Sequence, residues 1–223
     1  RQRDPESQHA RTLSANVHYQ RGIQMMRGGD FTNARTAIFT ALTSFPGNRQ
    51  MLALLVETEI RSGELREAAK VLREMERLHP SAILVDALRA DLYVAEGEPE
   101  SALPHYLIAW TKLPSDVIAS KYFRTFRHLG RLEEGEQFLA TWRSVFPSSV
   151  LATIMTGDHF IATKRPEKAI ELYENLLVHV PDSPAALNNL ALLYLEARGP
   201  ESALPLAERA YSLASVSPSI GDT

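Results

Sequence analysis

The chain has 223 residues, 44% of them hydrophobic and 23% charged, the balance of a folded protein and not of a disordered one. A formal charge of −3 and a pI near 6.2 lack the basic excess of a nucleic-acid binder. The absence of cysteine excludes disulfide scaffolds, thiol catalysis and most structural zinc sites. No stretch approaches the roughly 18 apolar residues that a membrane-spanning helix needs; the most apolar run, 51–56, ends at Glu57. The chain opens at Arg1 with no methionine and no signal-like apolar core, so the expectation is a processed form or an excised piece.

In chain order, residues 1–14 are polar and show no repeat. From there two rulers run in one register. Pro46, Pro80, Pro114, Pro147 and Pro181 are separated by 34, 34, 33 and 34 residues. Ala34, Ala68, Ala102, Gly135, Ala169 and Ala203 are separated by 34, 34, 33, 34 and 34. The rulers divide the chain into six units, 15–48, 49–82, 83–115, 116–149, 150–183 and 184–217, with 218–223 opening a seventh.

Each unit reads as two antiparallel helices and a short turn. In the third, Leu88, Leu92 and Ala95 recur at helical spacing before Gly97 breaks the helix. Pro99 then restarts it, proline being favoured in a first turn where its missing N–H would have no partner anyway. Ala102, Tyr106 and Ala109 form the second apolar stripe. The fourth unit departs from the others: Phe123 and Trp142 stand at small sites, and Gly135 replaces alanine. Either the superhelical geometry changes locally there, or the repeat has decayed with compensated packing.

At the ends, His18 and Arg21 take inward places of the first unit that are elsewhere apolar, a polar face suited to a terminal repeat. Ser217 and Pro218 repeat the register of Ser183 and Pro184, so the array is expected to continue beyond Thr223. Ala207 and Ala210 are then expected to expose an apolar end open to self-association.

The period and signature places resemble the tetratricopeptide repeat (TPR), W-x2-L-G-x2-Y, then A-x3-F, then P. Gly22, Ala34, Ile38, Ala41 and Pro46 carry the pattern in the first unit, and Gly157, Phe160, Ala169, Tyr173 and Pro181 in the fifth. The resemblance implies an all-α, right-handed superhelical solenoid of about six units. It also implies that the first helix of each unit faces a concave groove through its second, fifth, sixth, ninth, twelfth and thirteenth residues. That assigns to the groove a basic band of Lys121, Arg124, Arg127 and His128, acidic residues Glu57, Asp91 and Asp158, and polar residues Tyr19, Asn188 and Asn189. An arginine pair suits capture of carboxylates or phosphates; the alternative is that these charges pair with Asp91 and Asp158 and only solvate the surface. The carboxylate clamp that reads chaperone tails in this family fails in every three-unit window, beginning with Tyr19, Ile23, Leu54, Leu84 and Leu88.

No GxxxxGK[ST] loop, GxSxG elbow or HExxH pair is present. Asp158 beside His159 is the nearest approach to a catalytic couple, and neighbours on a helix point about 100° apart. No enzyme activity, cofactor or metal is expected. The expected function is a protein-interaction scaffold with a protein or peptide partner, no nucleic acid, and membrane attachment only through a lipid anchor outside this chain. The last two units resemble those of bacterial TPR lipoproteins of PEP-CTERM and exopolysaccharide-export systems, which implies an envelope protein on the periplasmic side. The alternative is a cytoplasmic regulatory module that binds an anionic tail in the groove.

Overall fold

The computed structural model describes residues 5–216. The segment expected to open a seventh unit, and residues 1–4 of the polar N-terminal stretch, lie outside the described residues. Among the described residues there are twelve α-helices and no strand: α1 Pro5–Arg27, α2 Phe31–Ser44, α3 Arg49–Ser62, α4 Leu65–Leu78, α5 Ile83–Ala95, α6 Pro99–Lys112, α7 Asp116–His128, α8 Leu132–Val145, α9 Val150–Ala162, α10 Pro166–His179, α11 Pro184–Arg198 and α12 Pro200–Val216. The fold is the all-α TPR fold. Helix α1 begins well before residue 15 and carries the polar stretch from Pro5 onward as helix. None of the helices is long and apolar enough to cross a membrane.

Local chemistry places the helix ends. The first helix of several repeats starts on a side-chain cap: the Asn48 carboxamide accepts from the N–H of Gln50 and Met51, and the Ser115, Ser149 and Ser183 hydroxyls accept from Ile118, Ala152 and Ala186. The second helices α6, α10 and α12 begin with Pro99, Pro166 and Pro200. Between the two helices the backbone turns through a left-handed residue. Glycine supplies it at Gly29, Gly63, Gly97, Gly130 and Gly199, whereas the fifth repeat uses Lys164 with φ 57°.

The chain forms two compact blocks, residues 1–129 and 130–223. The division falls in the turn of the fourth repeat, the one whose small sites hold Phe123 and Trp142. Phe123 is fully buried in the first block, and Gly135 and Trp142 are buried in the second. The Trp142 ring lies 6.5 Å from that of Phe138. Within the first block α1 to α7 pack in sequence, and α5 also lies against α3. Its core runs through Ala34, Ile38, Ala41, Ala68, Leu72 and Met75. In the second block the core around α9–α11 gathers Ala169, Tyr173, Leu176, Ala186 and Leu190.

Candidate binding groove

In the first block three successive first helices, α3, α5 and α7, line one cavity of about 530 Å³. Helix α3 contributes Glu57, Ile60 and Arg61; α5 contributes Asp91, Val94 and Ala95; α7 contributes Lys121, Arg124, Thr125 and His128. Pro99 and Tyr106 of α6 close it. The floor is apolar and the rim is charged.

The electrostatics of the rim are set by Asp91. Its carboxylate accepts from the Tyr106 hydroxyl at 2.6 Å and from Lys121 Nζ at 2.6 Å. Burial first, and then the Asp91 charge, pushes the Tyr106 hydroxyl far above its ordinary value, so it remains a donor. Lys121 is thereby largely neutralised. Arg124 and His128 are exposed, and among the described residues neither has an ion-pair partner. Arg61 lies 5.4 Å from the Phe31 ring centroid, a cation–π contact that holds its stem along α3. Among the described residues Arg61, Arg124 and His128 therefore line the cavity outside any ion pair, with Glu57 opposite in charge to the two guanidinium groups.

Arg127 was assigned to the same band, but it does not line the cavity. At 100° per residue, positions 121, 124 and 128 fall within about 60° of one another on α7, whereas position 127 lies about 60° further round. Tyr19 also stays outside the cavity. It packs half-buried against the core, and burial and the Glu57 charge raise its pKa.

The remaining assigned residues belong to the second block. Asp158 and Asn189 converge on Tyr173, not on a basic band. The Tyr173 hydroxyl stands 3.4 Å from the Asp158 carboxylate and 3.3 Å from the Ile154 carbonyl, donating to one at a time. It accepts from Asn189 Nδ2 at 3.1 Å. Asn189 thus braces the packing of α11 on α10, while Asn188 lines an apolar groove between α11 and α12. Ala210, expected at the exposed apolar end, is buried; it occupies the place of Ala41 and Ala109, facing its own repeat, and only Ala207 is exposed.

Two features were not anticipated from the sequence. One is a cluster in the second block: Arg165 binds Glu136 through both guanidinium nitrogens, at 2.9 and 2.6 Å, and the nearly buried His159 lies 3.2 Å from the same carboxylate. Arg165 and, less strongly, His159 hold the Glu136 pKa down at about 2. No spacing rule pairs positions 136 and 165, so nothing in the pattern signals it. The other is the shape of the apolar end expected at Ala207: it forms a groove between α11 and α12, because Ala207 stands where the third and fifth repeats carry tyrosine. Among the described residues no three His, Cys, Asp or Glu side chains come together to hold a metal ion.

These repeats, each turned through one positive-φ residue and stacked through one set of alanine and large apolar positions, define a helical-repeat protein. The tetratricopeptide-repeat family model matches residues 25–83 and 154–218, more than half of the chain, and the chain belongs to that family. TPR proteins act as protein-interaction scaffolds. Among solved structures, a TPR protein of Parabacteroides merdae ATCC 43184 is 20% identical with a TM-score of 0.59, covering 90% of this chain and 80% of its own. PilW, a widely conserved type IV pilus biogenesis factor, is 16% identical with a TM-score of 0.62, covering 90% of each chain. PilF of Pseudomonas aeruginosa is 13% identical with a TM-score of 0.65, covering 93% of this chain and 95% of its own. At these identities the likeness is one of fold. No curated protein matches the sequence.

Proposed function

We propose that this TPR protein is a non-catalytic scaffold that seats an extended, acidic segment of a partner protein in the α3–α5–α7 groove. The observation that carries this reading is the pairing within the rim. Asp91 neutralises Lys121, which leaves Arg124 and His128, with Arg61 across from them on α3, around an apolar floor of Ile60, Val94 and Ala95. A carboxylate-bearing segment with aliphatic neighbours meets both features. Each exposed ion pair contributes only ~0.2–1 kcal/mol, so the apolar floor must supply the rest.

We also propose that the assembly served is a bacterial envelope system of the secretion or exopolysaccharide-export kind, on the periplasmic side. The resemblance of the last two repeats to PEP-CTERM-associated lipoproteins supports it. The likeness in fold to a type IV pilus biogenesis factor is consistent with it.

Fluorescence anisotropy with labelled glutamate- and leucine-containing peptides tests the groove. The double reversal of Arg124→Glu and His128→Glu should weaken binding about tenfold and flatten its salt dependence. Arg127→Glu should change it much less. Equal affinity in the double reversal would remove the groove from the function. Capture by the immobilised chain from separated envelope and cytosolic extracts tests the setting. Recovery of secretion or polysaccharide-export proteins supports the envelope reading, and recovery of soluble proteins alone transfers the groove to a cytoplasmic regulatory module.

A further inference from the structure

Two pairs of repeats carry a cavity at the same place. In the first and second repeats it lies among α2, α3 and α4 and measures about 380 Å³. In the fourth and fifth it lies among α8, α9 and α10 and measures about 390 Å³. Pro46 and Pro147 line the two cavities and mark the shared register. Further repeats precede and follow the second site in the chain.

In that register the lining changes from apolar to hydrogen-bonding. Leu42 gives way to Arg143, Leu52 to Thr153 and Glu74 to Asn175. Ser148 and His179, which also line the second cavity, stand at the places of Gly47 and Leu78. The second lining contains no carboxylate; Glu171, at the place of Lys70, is not part of it. Buried Leu172 and Leu176 form an aliphatic floor.

The second and third repeats show how an ion at the Arg143 place is otherwise held. Glu76 stands there, and Arg89 of the following first helix binds its carboxylate. The counterpart of Arg89 beside Arg143 is Thr156, which is buried and donates its hydroxyl to the Ala152 carbonyl at 2.7 Å. Thr153 likewise donates to the Ser149 carbonyl. Among the described residues the side chains of Arg143, Ser148, Asn175 and His179 have no hydrogen-bond or ion-pair partner. Four unpartnered polar side chains therefore share one cavity with an apolar floor.

Charge selects the ligand. Arg143 is the one permanent cation of the lining and balances a single negative charge, whereas a phosphate monoester carries about two. A guanidinium also matches the paired oxygens of a carboxylate. The volume is near the lower end of the ~300–1,000 Å³ usual for small-ligand sites, so the ligand's body is short. We infer that the α8–α9–α10 cavity binds a carboxylate carried on a short aliphatic body. Arg143 takes the carboxylate, Ser148, Asn175 and His179 supply hydrogen bonds, and Leu172 and Leu176 receive the hydrocarbon.

Nuclear magnetic resonance of the labelled full chain tests this, read at the Asn175 side-chain amide and the His179 ring. N-acetyl-leucine should saturate both signals with a Kd of about 1 mM. N-acetyl-leucine amide, which lacks the charge, should bind at least about tenfold more weakly. Arg143→Leu and Asn175→Glu introduce the residues of the first cavity at exposed positions, and each should abolish the response. Circular dichroism checks that both variants stay helical. Reversal of Arg124 and His128, in the other block, should leave this binding unchanged. A short peptide ending in free leucine separates two sources of the carboxylate: tighter binding than N-acetyl-leucine points to a chain end, equal binding to a free acid, and either upholds the site. Equal affinity for the acid and the amide would overturn the inference, as would tighter binding of inorganic phosphate. So would no response up to about 20 mM acid, which would leave Arg143 and His179 only as last-turn cations facing the helix dipoles of α8 and α10.

Discussion

Gly157 and Tyr173 occupy each other's space: a Cβ on Gly157 would stand 2.9 Å from Tyr173 Cε1 and closer still to Cζ and the hydroxyl. The two residues lie on the helices of one repeat, α9 and α10, at the point where they cross. Gly22 has the same relation to Ile38 in the first repeat, where a Cβ would meet Ile38 Cγ1 at 2.7 Å. In these two repeats the missing Cβ makes the room that the ring or branch opposite occupies. Gly157→Ala should destabilise the chain by about 1–3 kcal/mol, the range for overpacking a filled core. Gly157→Ala combined with Tyr173→Leu should recover part of that loss, as read by urea denaturation.

The Arg35–Glu59 pair tests a different cost. The Glu59 side chain is 1% exposed and is bonded to Arg35, which remains 36% exposed. Arg35→Met would leave a carboxylate buried without its partner, at a cost of about 3 kcal/mol. Adding Glu59→Gln removes the stranded charge and should restore most of the stability. Equal stability of the two variants in guanidinium denaturation would show that the pair is not coupled.

Acid should act on the Glu136 cluster. Arg165, followed by His159, holds the folded-state carboxyl at about 2, below its ordinary 4.5. The folded state therefore binds fewer protons than the unfolded state in this window. The contribution to stability is complete above about pH 4.5 and is lost as the pH falls through about 2. Urea midpoints measured from pH 6 down should decline less steeply in Glu136→Gln than in the wild type.

Alkali should act on the tyrosines in the opposite sense. Burial, opposed by the hydrogen bond from Asn189 and helped by the Asp158 carboxylate, pushes Tyr173 up to about 12, and burial with Asp91 pushes Tyr106 higher. The unfolded chain releases these protons from about pH 10 upward, so stability should fall as pH rises from there. Ultraviolet titration of the seven tyrosines should show fewer than the full number ionising before the far-ultraviolet signal is lost. Full ionisation with the helices intact would contradict the burial assigned to Tyr106 and Tyr173.

The sequence by itself determined the fold. The proline and alanine rulers, the glycine turns and the apolar stripes are all consequences of backbone geometry with a fixed period, and that period is written directly in residue spacing. It also marked the fourth repeat, through Phe123, Gly135 and Trp142, and assigned a groove by register. Tertiary structure decided which charges in that register remain available. Spacing placed Lys121, Arg124 and Arg127 together, yet Asp91, 30 residues away on α5, neutralises the first, and the 100° step of the helix turns the last aside. Asp158 and Asn189 were legible as groove positions, but their partner is Tyr173, on the second helix of Asp158's own repeat and of the repeat before Asn189's. The Glu136–Arg165–His159 cluster left no trace in the pattern, because side-chain pairing between helices depends on rotamers and distances that no single-chain periodicity records.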